Sequence, residues 1–162
     1  MAGARCKCCD DAEIRWLAAA FTDAANRRDG VAAAGLFTEA GVWSLPGLDD
    51  VEGQDRIAET MGRVLGRFDF LVQLLHQGTI EIDGQRARAR WYLTELARDR
   101  DGRCWATTAV YDDVLSWARH CSRAGGDIAR WLFASRRLSF LTYGPIPDDI
   151  RHYPFPVQPA TD

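Results

Sequence analysis

A histidine in a row of apolar side chains is the first residue here that could do chemistry. In LVQLLHQGTIEIDGQRARARWYL, residues 71–93, the even positions of the first half are Val72, Leu74, His76, Gly78, Ile80 and Ile82. Alternate residues of a strand share a face, and an apolar face is the buried one. An imidazole withdrawn from water is biased toward its neutral form, which a general base requires. Asp83-Gly84 is a two-residue hairpin signal. Pairing through it sets Ile82 opposite Gln85, Ile80 opposite Ala87 and His76 opposite Trp91. The inward row of the partner strand is then Ala87, Ala89, Trp91, Leu93 and Glu95. The alternative to chemistry is a core histidine held by a backbone or Asn acceptor.

Other candidates come from the later strands and the first helix. Arg136 shares its strand parity with Leu132, Ala134, Leu138 and Phe140, so it must find acceptors. It could bind a substrate carbonyl, carboxylate or leaving group, or pair with Glu95 as a structural bridge; Arg137 points the other way. Tyr111 shares parity with Trp105, Ala109 and Leu115. Its phenol could donate to a developing oxyanion or simply pack. Asn26 lies at the border of a helix's apolar face, where it could enter a pocket or cap the helix end. Asp23 reads as solvated. Phe21 and Trp43 are candidate pocket walls or core residues, and Trp91 and Glu95 candidate substrate contacts.

The elements that must hold these residues follow from periodicity. Asp10 or Asp11 can cap a helix whose apolar face is Ile14, Leu17, Ala18, Phe21 and Ala25. It should stop near Asp29-Gly30, where Asp29 can cap a second, short helix. GVWSL reads as a short strand and EGQDRIAETMGRVLGRF as a third helix with Ile57, Met61, Val64, Leu65 and Phe68 on one side. The hairpin, the strand RCWATTAVYDDVL, the polar connection SWARHCSRAGGD and the strand ARWLFASRRLSFLTY follow. Helices first and a strand meander afterwards predict an α+β domain over residues 11–144. In it the helices cover the concave side of a strongly curved antiparallel sheet and leave a pocket open at one end. Residues 1–10 are expected to be a flexible leader. Residues 145–162, in a stretch holding five of the six prolines, form an irregular tail that could lie over a pocket mouth or a partner.

Composition narrows the function classes. The chain has 162 residues, enough for one domain with a core. A formal net charge of -3 supplies no basic field for nucleic acid. Arg86, Arg88 and Arg90 alternate along one strand and read as a solvated sheet face. No segment approaches the ~20 apolar residues of a membrane span, and MAGARCKCCDD lacks a secretory apolar core. An intracellular, cytoplasmic protein is the expectation. The five cysteines, Cys6, Cys8, Cys9, Cys104 and Cys121, are odd in number and irregular in spacing, which argues against a disulfide framework. CKCC has no matching ligand pair downstream, so a zinc site with His120 or Cys121 is the weaker reading and free thiols the stronger. Neither a metal nor a nucleotide cofactor motif occurs.

The stretches FTDAANRRDGVAAAGLFTEAGVW, VEGQDRIAETM, LLHQGTIEIDGQRARARWYL, AVYDDVL and RWLFASRRL, in this order, resemble the SnoaL-like group of the NTF2-like superfamily. The resemblance implies a cone of helices packed on a curved sheet. The superfamily includes scytalone dehydratase, hexachlorocyclohexane dehydrochlorinase, polyketide cyclases and ketosteroid isomerase, and also the non-catalytic β-subunits of ring-hydroxylating dioxygenases. In the dehydratase and dehydrochlorinase branch it implies an Asp-His dyad: the His matches His76, and the Asp position is Asn26, a departure. An Asn can orient an imidazole but cannot stabilise imidazolium with a full charge, so His76 would be a weaker base. The family's arginine, five residues after a Trp, matches Arg136.

Two functions follow as expectations. The first is a cofactor-independent acid-base enzyme acting on a small apolar cyclic or polyketide-like molecule. His76 is its base, Asn26 orients, and Arg136 with Tyr111 stabilises developing charge. Dehydration, elimination, isomerisation and cyclisation all share that proton abstraction. The second is a non-catalytic ligand-binding or assembly module, like the dioxygenase β-subunits. A homodimer is expected in either case.

Overall fold

The structure is a computed structural model and describes residues 6–121 and 127–146. Helix α1 (Lys7–Asn26) leads into α2 (Gly30–Ala34), strands β1 (Phe37–Ser44) and β2 (Val51–Glu52), and α3 (Gln54–Leu65). Four long strands follow: β3 (Phe68–Asp83), β4 (Arg86–Asp99), β5 (Cys104–Cys121) and β6 (Asp127–Pro145). They form one open six-stranded sheet in the order β2-β1-β6-β5-β4-β3. β1 pairs parallel to β6 while every other pair is antiparallel. The sheet is therefore mixed, where an antiparallel one was expected.

The helices form where periodicity places them. In α1, Ile14, Leu17, Ala18, Phe21 and Ala25 are all buried, and the Asp29 carboxylate accepts from the Ala32 N–H at 2.9 Å to cap α2. Ile57, Met61 and Leu65 turn the buried side of α3 to the same core. Two boundaries and one cap differ from expectation. Helix α1 starts at Lys7, not after Asp10, so residues 7–10 are helical. Asp10 is buried and accepts from the Trp131 indole N–H at 2.9 Å rather than capping. β5 continues through much of the stretch read as a polar connection.

Two irregularities decide which side chains face the core. The hairpin turns at Gly84-Gln85, with Asp83 opposite Arg86, Ile82 opposite Ala87 and Ile80 opposite Ala89. Gly84 takes a positive φ of 58° there, a conformation glycine adopts at little cost. Gly78 then faces Trp91, but three residues back Leu75 faces Leu93. His76 and Gln77 thus oppose one position of β4, a β-bulge that inverts the facing of everything before it. Leu71, Gln73 and Leu75 face inward on one side of the bulge and Gly78, Ile80 and Ile82 on the other. A second bulge lies in β6, where Ser135 faces Val114 and Phe133 faces Leu115. Ala134 is the extra residue, and the inward row reads Trp131, Phe133, Arg136 and Leu138 instead of a run of even numbers.

Candidate active site

The registers stack the inner face into cross-strand rows. One row is Gln73, Glu95, Thr107 and Tyr143. Another is Trp91, Tyr111 and Leu138, and the next is Ala89, Asp113, Arg136 and Trp43. Polar groups thus recur across a face that is otherwise apolar. α1 lies over this part of the sheet. Its Phe21 ring meets Phe37, Trp43, Tyr111 and Phe133 edge-on at 5.8 to 6.5 Å.

The deepest group is Arg136, which is 0% exposed. Its guanidinium carbon lies 3.8 Å from the Tyr111 ring centroid, 4.4 Å from Phe21 and 4.5 Å from Phe133. Three aromatic faces therefore take the place of water around the charge. One nitrogen, Nη1, donates to Asp113 Oδ2 at 3.3 Å, and the Trp91 indole N–H donates to the same oxygen at 2.9 Å. Arg136 Nε and Nη2, Asp113 Oδ1 and Trp43 Nε1 have no hydrogen-bond partner among the described residues. Burial pushes the Asp113 carboxyl up to about 6; Arg136 and the Trp91 N–H pull it part of the way back. Glu95 does not bridge to Arg136. Its Oε2 accepts from Gln73 Nε2 at 2.7 Å. Burial raises the Glu95 carboxyl above the usual range, against the opposing pull of the Gln73 hydrogen bond. Burial pushes the Tyr111 phenol up to about 12, against the pull of the Arg136 charge. Tyr111 therefore keeps its proton and can donate it in a hydrogen bond near neutral pH. Glu95 and Gln73 form a hydrogen-bonded pair on the same inner face as Tyr111, the ring that covers Arg136.

Asn26 sits beside this pair in an unexpected role. Its Nδ2 donates to the Gln73 carbonyl at 3.0 Å, and its Oδ1 accepts from the Gln73 N–H at 2.7 Å. β3 is an edge strand, and the side-chain amide pairs with its free backbone as a neighbouring strand would. The residue of β3 next to Asn26 is Gln73, not His76. The bulge turns His76 away from the inner face; it is exposed, and its Nε2 lies 2.8 Å from Thr94 Oγ1 on the outer side. It lines an open surface groove with Arg15, Leu75, Gln77, Trp91 and Tyr92. The expected register opposite Trp91 and the expected burial of His76 are both corrected by the bulge.

Of the residues singled out in the sequence, the fold brings Phe21, Trp43, Trp91, Glu95, Tyr111 and Arg136 to the inner face, with Asn26 at its edge. Asp23 is exposed and pairs with Arg27. Gln73 and Asp113 were missed. Asp113 shares the parity of Tyr111 and was legible on that ground; Gln73 becomes inward only through the bulge. Among the described residues no group of three or more His, Cys, Asp or Glu is placed to hold a metal ion. No described helix is long and apolar enough to cross a membrane. The side chains of His120 and Cys121 lie outside the description.

A SnoaL-like domain model matches residues 7–137. The chain belongs to the SnoaL-like family. No curated protein sequence matches this SnoaL-like chain, but solved structures do. It superposes on the LinA structure with a TM-score of 0.79 at 16% identity, covering 91% of this chain and 96% of that one. The type-3 LinA hexachlorocyclohexane dehydrochlorinase from Novosphingobium barchaimii LL02 gives 0.79 at 13% identity, covering 91% and 97%. A scytalone dehydratase-like protein from Novosphingobium aromaticivorans DSM 12444 gives 0.73 at 15% identity, covering 96% and 97%. At these identities the likeness is one of fold, and it establishes the NTF2-like cone for this SnoaL-like domain.

Proposed function

We propose that this SnoaL-like protein is an acid-base enzyme acting on a small apolar cyclic or polyketide-like molecule, with Glu95 as the proton-transfer group. The observation that carries the reading is the Glu95–Gln73 pair: a half-buried carboxyl, raised by burial and fixed at 2.7 Å. A carboxyl lifted toward neutrality is poised to take and return a proton. Tyr111, protonated near neutral pH, donates to the developing oxyanion, and Arg136 stabilises negative charge from behind it. His76 was the base expected from the sequence; its outward position favours Glu95 instead. Dehydration, elimination, isomerisation and cyclisation all begin with such a transfer. The relatives named dehydratase and dehydrochlorinase support this class. The test is a screen of cyclic hydroxyketones and chlorinated cyclohexanes for release of water or chloride and for deuterium uptake from D2O. Turnover or exchange that disappears in Glu95→Gln supports the reading, and activity unchanged in that variant overturns it.

A second reading, ligand binding without turnover, draws on Asn26. Both ends of its amide are engaged with the Gln73 backbone, so it orients no base. Ligand-induced thermal stabilisation with no deuterium uptake by any bound compound would select it. Exposed Leu74, Tyr92 and Val114 among the outer-face arginines support a homodimer through that face. Light scattering tests it, and a monomer at micromolar concentration would reject it.

A further inference from the structure

Three thiols open helix α1. Cys6 is the N-cap, with extended backbone at φ -76° and ψ 125°. Its carbonyl accepts the N–H groups of Cys9 and Asp10 at 3.0 and 3.1 Å. Its sulfur lies 2.9 Å from that of Cys8, and Cys6, Cys8 and Cys9 are all exposed. The extended residue before the first turn folds the Cys6 side chain back over Cys8. A disulfide bond needs the two sulfurs about 0.9 Å closer, a change within reach of side-chain torsions at a helix end.

The environment divides the labour between the sulfurs. The Cys8 thiol, and then the backbone N–H groups of Cys9 and Cys8, lower Cys6 to about 7. Hydrogen bonding to Cys6 raises Cys8 and Cys9. A thiolate at a helix N-terminus is the nucleophilic form, and a protonated neighbour is suited to resolve what it forms.

We propose that Cys6 and Cys8 are a peroxide-reactive dithiol that closes to an intramolecular disulfide, a modification site separate from the inner-face residues around Glu95 and Arg136. The Cys6 thiolate attacks a hydroperoxide; a sulfur–oxygen bond forms and the O–O bond breaks. The departing alkoxide or hydroxide takes a proton from solvent, leaving Cys6 as the sulfenic acid. The Cys8 sulfur then attacks the Cys6 sulfur. The S–S bond forms, the S–O bond breaks, and hydroxide leaves with the Cys8 proton as water. The peroxide is reduced by two electrons and the thiol pair is oxidised by two.

The test uses the reduced full-length protein, hydrogen peroxide and tryptic mapping without reductant. Cleavage after Arg5, Lys7 and Arg15 separates Cys6 from Cys8. The expected disulfide therefore appears as the Cys6–Lys7 dipeptide joined to the peptide Cys8–Arg15. At pH 7, thiolate fraction against intrinsic nucleophilicity predicts that Cys6 reacts about fivefold faster than an unperturbed thiol. Cys8→Ser should stall at a Cys6 sulfenic acid that dimedone traps. A Cys8–Cys9 link, intermolecular disulfides alone, or equal oxidation in Cys6→Ser would overturn the proposal.

Discussion

Replacing Asp113 by Asn tests the electrostatics of the inner face. Asp113 and Arg136 are both fully withdrawn from water, and side-chain removal from a buried ion pair ordinarily destabilises by ~3–5 kcal/mol. The geometry here predicts the opposite sign. A single guanidinium N–H reaches the carboxylate, at 3.3 Å, and one carboxylate oxygen has no partner among the described residues. Desolvation therefore outweighs attraction and lifts the carboxyl from 3.8 to about 6, worth about 3 kcal/mol by linkage. Because the folded value is the raised one, this stability is fully present below pH ~4 and lost as pH rises through about 6. The Asn amide oxygen can still accept from Trp91 and Arg136, and three aromatic rings continue to surround the guanidinium. In urea unfolding from pH 4 to pH 7.5, Asp113→Asn should match the wild type near pH 4 and exceed it by up to about 3 kcal/mol at pH 7. A variant several kcal/mol less stable at pH 7, with the deficit growing as pH rises, would refute the reasoning and make the ion pair dominant. A buried charge kept at a cost to stability is the pattern expected of a functional group.

Three further substitutions probe the frame. Asn26→Asp removes the donor to the Gln73 carbonyl and should lower unfolding free energy by ~1–3 kcal/mol in denaturant titrations; a neutral result would deny the edge-strand clasp. At Gly78 a Cβ would run into the Arg90 carbonyl and the Trp91 ring. Gly78→Ala should therefore cost about 3 kcal/mol or more, with the thermal midpoint as the readout. His76→Ala removes one exposed hydrogen bond and should change stability by less than about 1 kcal/mol; a larger loss in the same titration would mean that His76 packs more deeply than described.

The sequence revealed more of the frame than of the site. Helix α1 was legible because Ile14, Leu17 and Phe21 recur at helical spacing, and the outward arginines of β4 because they alternate with Ala87, Ala89 and Trp91. His76 misled for a specific reason. Leu74 and Leu75 are both apolar, so either parity of β3 yields a plausible core row, and one extra residue at the bulge inverts the choice. Gly78 was the available signal, since a glycine inside a strand marks a bulge or a close approach. In β6 the extra residue is Ala134, between Phe133 and Ser135, and nothing in the alternation announced it. Glu95, Tyr111 and Arg136 were recognised because each is a polar residue on an apolar parity. The hydrogen bond that fixes Glu95 depends on Gln73, whose inward position exists only in the folded register.

The most direct test of the central claim is kcat/KM for Glu95→Gln and His76→Ala, measured side by side on one substrate that the wild type turns over. Proton transfer through Glu95 predicts a loss of about 10²- to 10⁴-fold in the first variant and little change in the second. The reverse pattern, with activity retained by Glu95→Gln and abolished by His76→Ala, would contradict the account and return the chemistry to the outer groove.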